Sequence, residues 1–378
     1  MKEVRLIDIC EVIAGQSPPS STYNQDQDGI PFFQGKADFG ELFPNVRYWC
    51  NAPKKLSMPN DILFSLRAPV GPTNINNIEA CIGRGLAAIR CHGVDLKYLL
   101  HFLRANEKRI AMLGTGSTFK AITIGTLKDL KIPLPPLPQQ KKIASILDAA
   151  DAYRQQTRAL IGKYEELSQS LFLEMFGDPV TNPKGWNYTP LDKILEFLTS
   201  GSRGWAKYYS ESGSIFLRIQ NVGYNELRLD DLTYVNAPES AESRRTLVKS
   251  GDVLLTITAD LGRTAVIPTN FPTANINQHL ALLRLNEDYN PTFVSSYIAS
   301  NGGQSLFLKL DKGGVKAGLN FNDIKSYKLF SVPKDLQDKF EKRLRAIEAQ
   351  KAQAEASLAQ AEELFQALLQ KAFKGELV

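Results

Sequence analysis

The chain has 378 residues, enough for two or three domains with a substantial hydrophobic core. Hydrophobic residues make up 43% and charged residues 22%, which is typical of a globular protein and excludes a wholly disordered or collagen-like chain. The 45 basic and 40 acidic side chains leave a charge of +5, which permits nucleic-acid binding without requiring it. No apolar stretch approaches the roughly 20 residues of a membrane helix, and the charged N-terminus argues against a signal peptide, so we expect a cytoplasmic protein.

Residues 1–138 contain short apolar runs bounded by Gly, Pro, Asn and Asp, a pattern that predicts strands and turns. The pattern at 96–111 predicts a helix. The cysteines all lie in this segment and none forms a Cys-x-x-Cys pair, so we expect buried free thiols and no zinc or redox motif. They are Cys10, Cys50, Cys81 and Cys91.

The second segment, 139–177, follows the proline cluster Ile132-Pro-Leu-Pro-Pro-Leu-Pro-Gln. The cluster could be a ligand for a proline-binding domain, but we interpret it as a rigid lead-in to a helix. The segment is poor in glycine and has apolar residues at alternating spacings of three and four, the pattern of a heptad seam. The seam residues are Ile143, Ile146, Ala150, Tyr153, Thr157, Leu160, Tyr164, Leu167 and Leu171.

Residues 178–335 repeat the pattern of the first segment. The clearest match sets Asn60-Asp-Ile-Leu-Phe-Ser-Leu-Arg-Ala-Pro-Val-Gly against Gly251-Asp-Val-Leu-Leu-Thr-Ile-Thr-Ala-Asp-Leu-Gly. Residues 29–34 match 213–218, 85–90 match 279–284, and 127–132 match 324–329, in the same order. A second helix is predicted at 292–300. The chain is therefore predicted to be an internal duplication.

The last segment, 336–378, carries a second heptad seam. Its residues are Phe340, Leu344, Ile347, Lys351, Ala354, Leu358, Ala361, Phe365, Leu368 and Ala372. A lone amphipathic helix would leave its apolar stripe in water, so each seam is expected to pack against the other. Antiparallel pairing, which we favour over parallel pairing, would relate the two copies by a pseudo-twofold.

The predicted fold is therefore of the α+β class. Two globular mixed α/β domains, 1–138 and 178–335, are separated by two long helices, 139–177 and 336–378, that form an antiparallel coiled coil.

Motifs for catalysis are missing from the sequence. The glycine-rich stretches 114–118 and 83–85 match neither a phosphate-binding loop nor a dinucleotide fingerprint, and we interpret them as turns. His92, His101 and His279 have no metal-site spacing. The Asn-Pro-Pro-Tyr/Phe tetrapeptide of adenine methyltransferases is absent, and the Glu-Glu pairs at 165–166 and 362–363 are expected on solvated helix faces.

Three stretches of the chain resemble the specificity subunits of type I restriction and modification systems. They are Ile132-Pro-Leu-Pro-Pro-Leu-Pro-Gln-Gln-Lys-Lys-Ile-Ala-Ser-Ile-Leu, Leu171-Phe-Leu-Glu-Met-Phe-Gly-Asp-Pro-Val-Thr-Asn-Pro-Lys-Gly-Trp and the ending Leu368-Leu-Gln-Lys-Ala-Phe-Lys-Gly-Glu-Leu. Two departures are visible. Gln139 stands where the family usually has Glu, and Val332-Pro-Lys-Asp-Leu-Gln replaces the proline-rich form, so the two helix starts are expected to differ.

The resemblance implies a non-catalytic subunit that reads a bipartite double-stranded DNA site, one half with each recognition domain. It implies that the helices form the spacer and dock two methyltransferase subunits, with restriction subunits when present. No cofactor is expected in this chain, because S-adenosylmethionine for adenine methylation would be held by the methyltransferase. A helical bar of about 50 Å suits same-face grooves that recur about every 34 to 36 Å along DNA.

Base and phosphate contacts are expected from polar and basic side chains in turns next to strands. In the first copy the candidates are Lys36, Arg67, Arg84, Ser117, Thr118 and Lys120. In the second copy the matching or nearly matching positions are Arg218, Thr258, Arg263, Gln278 and Lys316. Arg203 and Lys207 are added by their chemistry alone, because they flank Trp205 in a turn.

Two other functions stay open at this point. One is a self-sufficient DNA methyltransferase or nuclease with an unfamiliar site, and the missing motifs weigh against it. The other is a coiled-coil adaptor that never touches DNA. Salt-sensitive duplex binding would separate the adaptor from a DNA reader, because neutralised phosphates release counterions.

Overall fold

A computed structural model describes residues 2–116, 120–310 and 318–377. The chain divides into two compact units. Unit 1 comprises Met1–Arg158 with Glu355–Val378, and unit 2 comprises Ala159–Ala354. Each of the two long helices contributes one part to each unit, so the units cut across the four segments predicted from the sequence.

The first strand-rich part of the chain contains eleven strands and three short helices among its described residues. The elements are β1 (Glu3–Arg5), β2 (Cys10–Ala14), β3 (Tyr23–Asn24), β4 (Ile30–Phe33), β5 (Trp49–Cys50), β6 (Leu56–Ser57), β7 (Ile62–Ser65), β8 (Thr73–Ile75), β9 (Ala80–Ile82), β10 (Leu86–Cys91), α1 (Leu96–Ala105), α2 (Glu107–Met112), α3 (Ile124–Lys128) and β11 (Lys131–Pro133). The long helix α4 (Leu137–Phe176) follows.

The second part of the chain has a similar succession of elements. They are β12 (Tyr188–Pro190), β13 (Leu195–Ser200), β14 (Tyr209–Ser210), β15 (Ser214–Leu217), β16 (Tyr234–Val235), α5 (Ala241–Thr246), β17 (Val253–Thr256), β18 (Thr264–Val266), β19 (Ala274–Ile276), β20 (Leu280–Leu285), α6 (Pro291–Ala299), α7 (Asn301–Leu308), α8 (Phe321–Ser326) and β21 (Lys328–Phe330). The second long helix is α9 (Lys334–Lys374).

Among the described residues, three sheets build the strand-rich part of each unit. In unit 1 their strand orders are β2-β10-β7-β8, β3-β5-β4-β9-β6 and β1-β11. In unit 2 the orders are β13-β20-β17-β18, β14-β16-β15-β19 and β12-β21. Pairing is antiparallel except between β4 and β9 and between β15 and β19. The strand orders of the two units correspond, with one additional edge strand, β6, in unit 1.

The central strands are buried on both faces. Because successive side chains of a strand point to opposite faces, each central strand contributes to two cores. In β7, Ile62 and Phe64 face the core shared with α1, whereas Leu63 faces the core between the two larger sheets. In β17, Leu255 and Leu254 divide between two cores in the same way. These strands hold the sheets together and fix the positions of the loops at their ends.

The helix predicted at 96–111 is interrupted, and that prediction was wrong in this detail. It consists of α1 and α2, which meet at Asn106. The side-chain amide of Asn106 donates to the carbonyl oxygen of Phe102 at 2.9 Å, and such side-chain bonds compete with a continuous helix. The helix predicted at 292–300 occurs as α6, displaced by one residue.

The seam predicted along α4 is wrong at three positions. Tyr153, Leu160 and Leu167 are 53%, 43% and 49% exposed. Adjacent apolar pairs, such as Ile146 with Leu147, make two seams possible that differ by one residue, and Leu147 is the fully buried member of that pair. Along α9 every predicted seam residue is buried or half-buried.

The four cysteines carry free thiols, with Cys91 half-buried and the others buried. Among the described residues, no helix is both long and apolar enough to cross a membrane.

Candidate nucleic-acid interface

Five loops of unit 1 converge at one end of its sheets, held by main-chain hydrogen bonds. Gln16, after β2, donates to the carbonyl of Ile82 at 2.9 Å, and Gly83, after β9, donates to Phe33 in β4 at 2.8 Å. Leu66, after β7, donates to Gly85 at 2.9 Å and accepts a bond from Ile122 at 3.0 Å. Loops after β2, β4, β7 and β9 and the segment between α2 and α3 are therefore neighbours.

Glycine permits this close approach of the loops. A Cβ on Gly15 would lie 2.2 Å from the carbonyl oxygen of Gly83, and one on Gly85 would lie 2.5 Å from that of Gln34. Both distances are too short for any other residue. The Gly83-Arg-Gly85 turn thus presents Arg84 while its glycines pack against neighbouring loops.

The structure brings four of the unit 1 candidates into this loop cluster: Lys36, Arg67, Arg84 and Lys120. Each of these cations is exposed, and within the described ranges none forms a salt bridge. Arg67 pairs with Ala121, the neighbour of Lys120, in an isolated β-bridge. Ser117 and Thr118 belong to the same segment but lie outside the described residues. The cluster therefore presents unneutralised positive charge to solvent.

Lys36 also lines a cavity of about 400 Å³ beside the cluster. Pro72, Arg104 and Glu107 contribute to its wall. Burial lowers the pKa of the Arg104 guanidinium, although nearby carboxylates oppose that shift. Arg104 donates to the carbonyl oxygen of Glu41 at 3.3 Å, so its direction is fixed.

Unit 2 has the same pattern of hydrogen bonds between loops. Ser202, after β13, donates to Ile276 at 3.0 Å, and Asn277, after β19, donates to Leu217 in β15 at 3.0 Å. Ile257, after β17, donates to His279 and accepts from Leu319, both at 3.0 Å.

The loops of this second cluster carry the remaining predicted residues. The described ones are Arg203, Lys207, Arg218, Thr258, Arg263 and Gln278, whereas Lys316 lies outside the described residues.

The cations of unit 2 differ from those of unit 1 in their partners. Arg218 forms a salt bridge with Asp231 at 3.2 Å, and Arg263 forms one with Asp260 at 2.8 Å. The two arginine side chains are 22% and 23% exposed. They are therefore held in place, whereas Arg203 and Lys207 are exposed.

Two residues of this cluster, His279 and Tyr224, were not among the residues selected from the sequence. His279 accepts or donates at both ring nitrogens, with the Thr258 hydroxyl 2.6 Å from Nδ1 and the Gln278 amide 3.2 Å from Nε2. Tyr224 is 55% exposed, and its ring lies 5.8 Å from the Arg263 guanidinium. The link between His279 and its neighbours could have been suspected from the match of 279–284 with 85–90, but no sequence signal marks Tyr224.

The described part of the chain has no evident metal-binding site. No group of three or more His, Cys, Asp or Glu side chains there is placed to hold a metal ion. The exposed loops instead offer guanidinium, ammonium, hydroxyl and amide groups, the chemistry that contacts phosphates and base edges.

Comparison with known proteins finds a family model that matches the first part of the chain. Residues 1–165 match the family model of the type I restriction modification DNA specificity domain. A putative type I restriction enzyme MjaX specificity subunit of Methanocaldococcus jannaschii is 49% identical over 143 residues, which cover 37% of this chain and 34% of the relative. The EcoBI specificity subunit of Escherichia coli is 22% identical over 407 residues, covering 98% of this chain and 84% of the relative.

Solved structures share the fold over the whole chain. The S subunit of a type I restriction-modification system from M. genitalium has a TM-score of 0.62 at 16% identity, covering 98% of this chain and 96% of that one. A chain from a study of complex assembly and conformational transition of the type I R-M system has a TM-score of 0.60 at 19% identity, covering 100% and 98%.

Proposed function

Because the chain belongs to the family of type I restriction-modification specificity subunits, we propose that it reads a bipartite DNA site, one half with each loop cluster. The observation that carries this proposal is the recurrence, in both units, of five loops joined by the same hydrogen bonds and bearing the candidate polar side chains. The chain selects the DNA sequence and the partner subunits perform the chemistry. Its place of action is then the cytoplasm, where the DNA is.

The two units are proposed to be copies of one ancestral half. The support is the matching strand orders and the parallel pairs β4–β9 and β15–β19, which are the exceptions in otherwise antiparallel sheets. The copies are not identical, because unit 1 has a free cationic cluster and unit 2 a partly neutralised one. Two different loop surfaces suit two different half-sites.

The long helices are proposed to pair as an antiparallel coiled coil that sets the distance between the half-sites. Within unit 1, Arg154 and Arg158 of α4 both pair with Glu362 of α9, the former at 2.9 Å. Within unit 2, Lys351 of α9 pairs with Glu165 of α4 at 2.8 Å. Residues closer to the C-terminus of α4 therefore pair with residues closer to the N-terminus of α9, as antiparallel pairing requires.

The exposed faces of these helices are proposed to dock two methyltransferase subunits, and restriction subunits where the system has them. Leu160 and Leu167 of α4 are 43% and 49% exposed and lie seven residues apart, so they share one helix face. Leu160→Glu with Leu167→Glu should release the methyltransferase without unfolding the chain. A complex that still co-purifies would contradict this docking surface. S-adenosylmethionine would be bound by that partner and adenine would be its target.

Base reading is tested by changing one arginine in each cluster. Arg67→Ala should relax discrimination at one half-site and Arg263→Ala at the other, each by about 1 to 3 kcal/mol. Arg5→Ala is the control, since Arg5 is an exposed arginine on β1 outside the cluster. Equal weakening for every sequence would make the residue a phosphate contact instead.

The adaptor function and the enzyme function give different results in the same assays. Binding of the chain and its methyltransferase to duplex DNA should weaken steeply as salt rises, because phosphate contacts release counterions. An adaptor would bind no duplex at any salt concentration. A self-sufficient enzyme would methylate or cut DNA without a partner.

A further inference from the structure

One segment of each loop cluster connects two helices, α2 with α3 in unit 1 and α7 with α8 in unit 2. The helix before this segment ends on an exposed aliphatic side chain in both units. Helix α2 ends at Met112, which is 71% exposed, and α7 ends at Leu308, which is 51% exposed. Single exposed aliphatic residues are common on protein surfaces. The recurrence at the same place in both units is what gives these two weight.

Each of these two residues has a buried neighbour in the same helix that packs into the core. Ile110, two residues before Met112, is 1% exposed and belongs to the core of unit 1. Phe307, directly before Leu308, is fully buried in the core of unit 2. The helix ends are therefore fixed, while the two aliphatic side chains themselves contribute little to either core.

Exposed basic side chains lie near both residues. A Cβ on Gly114, two residues after Met112, would lie 3.4 Å from Cβ of Lys120, one of the exposed cations of the cluster. Arg109 is exposed on α2, and Lys309 is exposed directly after Leu308. These exposed cations favour a polyanion such as duplex DNA over an apolar protein partner.

We propose that Met112 and Leu308 each contact the apolar edge of a base, the thymine methyl group in the major groove, in one half-site. This inference rests on the proposed function and adds a specificity-determining residue to each cluster. The thymine methyl is the one apolar feature of the major-groove edges, and aliphatic side chains recognise it by contact. The neighbouring cations then hold the phosphates on either side.

The test measures base discrimination by the chain assembled with its methyltransferase, using duplex libraries in which one base pair at a time is randomised. Met112→Ala should reduce discrimination at one position of one half-site from about tenfold to below about threefold, and Leu308→Ala should do so in the other half-site. Met58→Ala and Val180→Ala are the matched controls. Met58 follows β6 and Val180 follows α4, both outside the loop clusters, and both are exposed.

Deoxyuridine at the affected position removes only the methyl group. It should weaken binding by the wild-type complex about as much as Met112→Ala does, and it should leave binding by the Met112→Ala variant unchanged. An affected position without thymine, or unchanged discrimination in both variants, would overturn the inference while leaving the proposed function intact. A wild-type complex that selects no split sequence would overturn both.

Discussion

Two buried aspartates occupy equivalent places at the start of strands β7 and β17. Asp61 and Asp252 are each 1% exposed, and each accepts a pair of hydrogen bonds from an arginine, Arg90 and Arg284 respectively. Asp252 also accepts from the main-chain nitrogen of Lys249 at 2.6 Å. These carboxylates tie the strand to the turn before it in each unit.

Asp252→Ala should destabilise the protein by about 3 kcal/mol, because it leaves the largely buried Arg284 without its charge partner. Chemical denaturation with fluorescence detection measures this change. Glu226→Gln is the control, since its ion pair with Arg228 is exposed and should be worth less than about 1 kcal/mol. Equal effects of the two substitutions would contradict a structural role for Asp252.

Asp148 links α4 to α1 and makes stability depend on pH. Burial opposes ionisation of this carboxyl, but hydrogen bonds from Lys97 and His101, at 2.6 and 2.8 Å, outweigh burial and lower its pKa below the usual 3.8. A carboxyl whose pKa is lowered by folding stabilises the folded protein at pH values above its usual pKa. This stabilisation is lost as the pH falls through the pKa of the folded state.

Asp148→Asn should therefore lower the stability at neutral pH and flatten the loss of stability below pH 3.8. Unfolding free energies measured across that range test this, with Asp129→Asn, 69% exposed, as the control. A variant with an unchanged acid profile would rule out a contribution from Asp148.

At the level of elements, each long helix is anchored by a buried glutamine in its first turn. Gln140 is 2% exposed, accepts from the main-chain nitrogen of Asp95 and donates to the carbonyl of Pro135, both at 2.8 Å. Gln337 makes the same two kinds of bond, to Asn290 and Val332. The two helix starts thus share one anchor, although the proline-poor second copy led us to expect that they would differ.

Gln140→Ala should cost about 2 kcal/mol of stability, because it removes the partners of two polar groups of the main chain. The adjacent Gln139 is exposed, so Gln139→Ala should stay within about 0.5 kcal/mol of the wild type. Thermal unfolding of the two variants side by side makes the comparison. Equal stability would mean that the anchor is dispensable.

Strands with a strong apolar pattern, such as β7 and β17, could be predicted from the sequence because their burial alone determines the element. Helix α7 could not, since it begins with Asn-Gly-Gly, which local propensity assigns to a turn. Position 303 requires glycine, because a Cβ there would lie 1.8 Å from the carbonyl oxygen of Tyr297. Tertiary packing therefore decides this helix.

The candidate residues could be selected one by one from the sequence, but their convergence on one surface could not be predicted. Basic side chains in turns could be selected from the repeat, whereas the convergence of five loops depends on the parallel pairing of β4 with β9 and of β15 with β19. The partners of Arg218 and Arg263 could not be foreseen either. Asp231 and Asp260 carry no signal in the sequence that marks them as ion-pair partners.

At the scale of the whole molecule, the two long helices are proposed to act as a spacer of defined length. Inserting four residues into α4 beside Gly162 and four into α9 near Lys351 keeps the helices paired as a stutter and lengthens each by about 6 Å. The preferred gap between half-sites should then grow by about two base pairs, with both half-site sequences unchanged. Methylation mapping of the variant measures the gap, and an unchanged gap would contradict the spacer.

The central claim is that this chain selects a split DNA sequence for a partner methyltransferase. The most direct measurement is a genome-wide map of methylated adenines in cells with the chain, without it, and with it restored. We predict that methylation at one bipartite motif disappears without the chain and returns with it, whereas the Arg67→Ala variant changes only one half of that motif. Methylation that is the same in all three cells, with the methyltransferase present, would contradict the account.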